Sequence, residues 1–86
     1  VICNAKLNKD QCHKLASMVH DGYARVIKPV HTAADGDSIY FLASGDVEVN
    51  QDALGDLAAY VMSKAINDAV RSAESAYGFV SINELK

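Results

Sequence analysis

The chain contains a short, uninterrupted apolar run, Ser38–Ser44, which reads Ser-Ile-Tyr-Phe-Leu-Ala-Ser. A run of this length, with two aromatic residues and no charge, is typical of a β-strand covered on both faces. The pair Gly45-Asp46 follows and predicts a turn or a bulge, after which Val47–Val49 alternates in polarity. We therefore expect a strand here that packs between two layers.

Helical periodicity lies on both sides of this run. Upstream it begins at Asn8, which with Gln11 predicts a capping box, and Pro29 ends it because the residue before a proline is pushed out of the α region. Downstream, Asn50 is predicted to cap a second helix that ends at about Ser75. The apolar stripes consist of Cys12, Leu15, Ala16, Val19, Tyr23, Val26 and Ile27 in the first helix and Leu54, Leu57, Ala58, Val61, Ala65, Ile66, Ala69 and Ala73 in the second.

The segment from Val1 to about Lys6 has an apolar start and predicts a further strand, so the order is strand, helix, strand, helix, an α/β arrangement. Two strands do not form a sheet that is stable by itself in water. An apolar strand covered on both faces also needs a second layer, which two helices do not fully supply. We therefore interpret residues 1–86 as a single domain fragment. We expect its sheet to be completed by another polypeptide, which the abrupt start at Val1 favours, or by a second copy of the chain.

Length and composition exclude several classes of protein. Eighty-six residues, half of them apolar and 22% charged, fit one small globular domain. The net charge of −3, without any larger cluster of Lys or Arg, argues against a nucleic-acid partner. No apolar run approaches the roughly 18 residues that span a bilayer, so no membrane association is expected. We expect a soluble cytoplasmic protein, or a periplasmic one if a leader precedes the precursor.

The cysteines and two of the histidines have an ordinary structural interpretation. Cys3 and Cys12 lack metal-ligand spacing and are expected to be small buried hydrophobic residues. His13 lies on the polar face of the first helix, where we expect it to be solvated. His20 lies at the edge of the apolar face and is interpreted as a partly buried packing residue and not as a ligand.

The polar chemistry concentrates in Pro29–Ser38, which reads Pro-Val-His-Thr-Ala-Ala-Asp-Gly-Asp-Ser. The plainest interpretation is a turn with two solvated acids, because Asp-Gly is a common turn pair. Alternatively, an extended entry into the strand aims Asp35 and Asp37 at one face, with Gly36 leaving room between them. Such a pair can orient an amine or hydroxyl and stabilise its charge. A metal site with His31 is disfavoured because the calcium-loop pattern is absent, and we expect neither a metal nor another cofactor.

At these residues the chain resembles the small, C-terminal β-chain of the self-cleaving L-aminopeptidase/D-amino-acid esterase family, which includes β-peptidyl aminopeptidases and nylon-oligomer hydrolases. The resemblance covers most of the chain. It is carried by Cys3-Asn4-Ala5, Val19-His20-Asp21-Gly22, Ala24-Arg25, Pro29, His31-Thr32 and, most specifically, Asp35-Gly36-Asp37-Ser38-Ile39-Tyr40-Phe41.

The resemblance implies an α/β/β/α sandwich, of which this chain is the strand-helix-strand-helix half and a larger α-chain from the same precursor is the rest. It also implies a homo-oligomer of αβ units. The precursor would cut itself before a Ser or Thr that becomes the N-terminal nucleophile, about five residues upstream of Val1 on the same strand. Asp35 and Asp37 are the implied catalytic residues, which orient and charge-stabilise the hydroxyl and free amine of that nucleophile.

The predicted function is therefore that of a self-processed N-terminal-nucleophile aminopeptidase or amidase. It would hydrolyse small peptide or amide substrates with a free amine through an acyl-enzyme. Two alternatives stay open. One is an acyl-transferase subunit of the ornithine acetyltransferase type, which resembles the family in self-cleavage and layered fold. The other is a non-enzymatic βαβα module that binds a small ligand and dimerises through its sheet.

Overall fold

The computed structural model describes residues 1–85 and confirms the predicted order of strands and helices. Two parallel strands alternate with two long helices, and a short 3-10 helix lies near the end of the described chain. The elements are β1 (Ile2–Ala5), α1 (Lys9–Val26), β2 (Leu42–Val47), α2 (Gln51–Ser72) and the 3-10 helix Ile82–Glu84.

The pairing of β1 with β2 contains a bulge. Cys3 lies opposite Ala43, but Ala5 lies opposite Val47, so β2 carries two extra residues between these pairs. Gly45 belongs to this irregular part, and a Cβ at this position would lie 1.9 Å from a main-chain oxygen of β1. A side chain there would force the two backbones apart. The bulge predicted at Gly45 is confirmed, and the strand continues through it without turning.

Both helices begin where the sequence predicts. The Asn8 side chain accepts a hydrogen bond from the Gln11 N–H (2.8 Å), and the Gln11 side chain accepts one from the Asn8 N–H (2.9 Å), which completes the capping box. The Asn50 side chain accepts a hydrogen bond from a main-chain N–H in the first turn of α2. The helix α2 ends at Ser72, earlier than the predicted end near Ser75, because the backbone after it is extended.

The core lies between the sheet and the two helices, which cross closely. A Cβ at Gly22 of α1 would lie 2.5 Å from the main-chain oxygen of Ala59 in α2. The Ser63 hydroxyl lies 3.0 Å from the main-chain oxygen of Gly22 and is buried at this crossing. Small residues therefore let the helices approach. The predicted stripe of α2 is wrong for much of its length, because Leu57, Val61, Ala65 and Ala69 are exposed. The helix turns Gly55, Ala58, Ala59 and Ser63 inward instead. The buried cluster consists of Leu15, Val19, Phe41 and Ala58.

The two faces of the sheet differ in exposure. The helices cover the face that carries Cys3 and Ala43, whereas three apolar side chains on the other face are largely exposed: Ile2 (77%), Tyr40 (78%) and Leu42 (60%). Residues 1–85 thus cover one face of this strand, and cover of the other face by another polypeptide or a second copy stays a prediction.

The bounds of this strand differ from those of the apolar run. β2 begins at Leu42, whereas the run begins at Ser38. It ends at Val47 and not at Ser44, because the strand continues through the bulge at Gly45. In the ladder, Leu42 lies opposite Ile2.

The segment after α2 forms a tight turn. Ala76 and Phe79 exchange two main-chain hydrogen bonds, and Tyr77 and Gly78 between them have positive φ values of 53° and 84°. Within residues 1–85, neither long helix is apolar enough over its length to cross a bilayer.

Candidate active site

The loop 27–41 connects α1 to β2 and carries both predicted site carboxylates. Thr32 and Asp35 close a turn within it. The Thr32 N–H donates a hydrogen bond to Oδ2 of Asp35 (2.8 Å), and the Asp35 N–H donates one to the Thr32 carbonyl oxygen (3.0 Å). The Asp35 carboxylate therefore holds the shape of its own loop, in addition to any role toward a ligand.

The two carboxylates are close in sequence and both are exposed. Asp35 lies at the end of the Thr32 turn, and Asp37 follows in a segment without regular secondary structure. A turn at Asp35 with both acids exposed agrees with the plainest interpretation of the sequence, and the alternative of an extended strand entry is not formed at Asp35. A Cβ at Gly36 would meet nothing within 4 Å, so the space around it is open. The catalytic roles of Asp35 and Asp37 stay predictions.

The loop reaches the sheet at the end where β1 begins. Parallel strands place their N-terminal ends together. Beyond the last ladder pair, the Val1 nitrogen donates a hydrogen bond to the Tyr40 carbonyl oxygen (2.8 Å), and the Leu42 N–H donates one to the Val1 carbonyl oxygen (2.8 Å). The backbone that leads into β1 therefore runs beside the backbone that follows Asp37.

Two histidines meet at the base of this loop. The rings of His20, on α1, and His31, in the loop, have centroids 5.5 Å apart and planes inclined by 66°. The His20 ring also contacts Tyr23 edge-on, with centroids 5.5 Å apart. The prediction that His20 is a partly buried packing residue is confirmed, and His13 is exposed as predicted. The contact with His31 was not predicted, because no helical or strand spacing relates the two positions.

The remaining candidate ligands are dispersed. Within residues 1–85, no three His, Cys, Asp or Glu side chains lie close enough together to hold a metal ion. Cys3 and Cys12 are free and partly buried against the core, which is less burial than predicted.

Two cavities lie at opposite ends of the molecule. One, of about 350 Å³, lies between the start of β1 and α2 and is mostly apolar, with the exposed side chains of Leu57 and Val61 in its wall. The other, of about 410 Å³, is lined by Lys6 and Glu48 where the strands lead into the helices. This larger cavity is at the far end of the sheet from Asp35 and Asp37, so it offers no pocket for their chemistry.

Comparison with known proteins shows similarity to peptidases. Residues 1–82 match Peptidase family S58. An uncharacterized aminopeptidase of Mycobacterium leprae is 34% identical over 93 aligned residues, which cover 91% of the chain and 26% of that protein. An uncharacterized aminopeptidase of Mycobacterium tuberculosis is 43% identical over 53 residues, which cover 62% of the chain and 15% of that protein.

A 6-aminohexanoate-oligomer endohydrolase of Kocuria sp. is 26% identical over 84 residues, which cover 83% of the chain and 24% of that protein. The chain thus spans between 15% and 26% of the length of these relatives. No solved structure matches it significantly.

Proposed function

The chain belongs to peptidase family S58, and from this membership we propose that it is the β-chain of a self-processed hydrolase that cleaves amide bonds. The membership confirms the predicted family resemblance. Relatives named aminopeptidase and 6-aminohexanoate-oligomer endohydrolase support amide hydrolysis over acyl transfer. The peptidase match likewise argues against a non-enzymatic binding module.

The parallel register of β1 and β2 is the observation that carries the proposal. Ile2 lies opposite Leu42, and the chain before Ile2 remains hydrogen-bonded to the chain before Leu42. If the same register continues, the position about five residues upstream of Val1, where the nucleophile is expected, lies opposite Gly36. A Ser or Thr there would be flanked by the two loop carboxylates across a gap that Gly36 leaves open.

This placement fits the needs of an N-terminal nucleophile. A hydroxyl is a weak nucleophile until a base removes its proton, and the free α-amine of the same residue can be that base. In the proposed reaction the hydroxyl oxygen attacks the amide carbon, its proton passes to the α-amine and then to the leaving amine, and the C–N bond breaks. Water hydrolyses the resulting ester. Asp35 and Asp37 would orient the hydroxyl and stabilise the protonated amine.

The exposed apolar face of the sheet is an argument for a second polypeptide that packs on it. Ile2, Tyr40 and Leu42 expose most of their surface on the face opposite the helices. Burial of apolar surface is favourable by roughly 25 cal/mol per Å². A larger α-chain from the same precursor, packed on this face, would complete an α/β/β/α sandwich. It would also supply oxyanion donors. Assembly of αβ units into a homo-oligomer stays a prediction from the family resemblance.

The substrate that we propose is a small peptide or amide with a free amine. The M. leprae and M. tuberculosis relatives are named aminopeptidases, and an aminopeptidase acts at a free amino end.

The first experiment is to express the complete gene and to determine the intact masses and N-terminal sequences of the purified protein under denaturing conditions. We expect two polypeptides, the smaller of which starts with Ser or Thr about five residues before Val1. The same preparation should release p-nitroaniline from amino-acid p-nitroanilides. A single uncut polypeptide without amide-hydrolysing activity would contradict the proposal.

A further inference from the structure

The loop that carries Asp35 and Asp37 packs on the helices at its far end through Ile39 and Phe41, and near its start through a pair of rings that our proposed reaction does not use. The His31 ring lies against the His20 ring, edge to face, and His20 is held in turn by Tyr23. Asp35 and Asp37 themselves are exposed. A loop with exposed acids needs an anchor to keep them in place, because positioning within about 1 Å decides catalytic rate.

The backbone at His31 links this ring contact to the carboxylates. His31 has a φ of 57°, in the left-handed region that few residues other than glycine adopt. The next residue, Thr32, donates its N–H to the Asp35 carboxylate. The backbone conformation of His31 therefore sets the direction of the Thr32 N–H that binds the Asp35 carboxylate. The ring contact with His20 in turn fixes the position of His31.

The His20 ring behaves as a packing surface at this contact. Its Nδ1 atom is buried and has no hydrogen-bond partner among residues 1–85. A buried polar atom without a hydrogen-bond partner is unfavourable, so this nitrogen does not stabilise the position of the ring. The position is stabilised by packing of the ring instead. An aromatic ring without nitrogens should serve equally well there.

We infer that His20 and His31 are positioning residues for the proposed hydrolysis: their ring contact fixes the loop that presents Asp35 and Asp37 to the nucleophile. The inference rests on the proposed function. It adds that the carboxylate geometry is set from α1 through two rings, and that neither ring takes part in proton transfer.

The test uses the protein made from the complete gene and four variants, one of which is a control. His20→Ala removes the ring contact, and His31→Asn removes the other ring but keeps a residue that tolerates positive φ. We expect kcat to fall about tenfold in both, with KM within about twofold of wild type, because the carboxylates act on the nucleophile. His20→Phe keeps the ring contact and should retain kcat within about twofold. His13→Ala, an exposed histidine on the same helix, is the matched control and should be unchanged.

Hydrogen exchange measured by mass spectrometry gives the second readout. In His20→Ala, peptides that contain Thr32 should exchange faster, while peptides from α1 stay protected. Faster exchange throughout α1 would show that His20 supports the helix and would overturn the inference.

The kinetic outcomes separate the two proposals. An active wild type with an unaffected His20→Ala, or with a His20→Phe as slow as His20→Ala, would overturn the positioning role alone. A wild-type protein that hydrolyses no amide would overturn the proposed function, and the positioning role with it.

Discussion

The helix-covered core and the loop 27–41 are built by different means. In the core, two capped helices cross at Gly22 and Ala59 and bury Leu15 and Val19 completely. The loop carries exposed acids and is held by a turn and a pair of histidine rings until Ile39 and Phe41 enter the core. The core therefore determines stability, and the loop, together with the exposed face of the sheet, is left for function and partners.

The largest effect is expected on the exposed face of the sheet, where we propose that the larger chain packs. Leu42→Asp places a charge where we propose that the larger chain packs, and a buried unpaired charge costs about 4 kcal/mol. In the protein made from the complete gene we expect loss of the folded two-chain complex, measured by size-exclusion chromatography and thermal unfolding. Ala24→Asp, on the exposed side of α1, is the control. A stable Leu42→Asp complex would show that this face is solvated.

Substitutions at two glycines compare the sheet that carries the core with the loop. Gly45→Ala pushes a methyl group against the backbone of β1 and should lower the free energy of unfolding by about 3 kcal/mol. Gly36→Ala meets open space, so we expect a change within about 0.5 kcal/mol. Urea unfolding of the two variants measures both values. Equal destabilisation by the two substitutions would contradict the division between core and loop.

A substitution at an acid of the loop should lower the rate of amide hydrolysis without lowering the stability of the protein. Asp37→Asn removes a charge that we propose stabilises the nucleophile, so kcat for amide hydrolysis should fall by about 100-fold. Because Asp37 is exposed, the unfolding free energy should change by less than about 0.5 kcal/mol. Glu74→Gln, another exposed acid, should behave as wild type. Wild-type kinetics in Asp37→Asn would remove its catalytic role.

A substitution at the start of α1 should lower stability without lowering the rate of hydrolysis. Asn8→Ala removes half of the capping box, which costs about 1 kcal/mol, and should leave kcat unchanged because the cap lies at the far end of the sheet from the acidic loop. Thermal unfolding and the p-nitroanilide assay check the two parts. Asn8→Asp, which keeps the cap acceptor, should recover the stability. A loss of activity in Asn8→Ala at temperatures where it is folded would contradict the separation.

The sequence predicted the helices more accurately than the second strand. The caps at Asn8 and Asn50 are local signals, read from residues within one turn, and both are confirmed. The register of β2 depends on its pairing with β1, some forty residues away in the chain, and the apolar run at Ser38 carries no information about it. The bulge was predictable because Gly45 marks a position where backbones approach closely.

For the candidate site, too, the sequence predicted local features but not contacts between distant residues. Asp35 and Asp37 were identified from the sequence because two acids and a glycine precede an apolar run. The His20–His31 contact was not, since it depends on where α1 and the loop meet in space. Only a tertiary contact relates these two histidines.

The sequence by itself determined two capped helices, two strands, their order and the membership of peptidase family S58, because these depend on local periodicity, turn chemistry and motif spacing. The tertiary structure alone decided the register that sets Ile2 opposite Leu42, the choice of the exposed face and the packing of His31 on His20. The physical reason is distance along the chain: hydrogen bonds within a helix join near neighbours, whereas strand pairing and side-chain packing join residues that the sequence keeps apart.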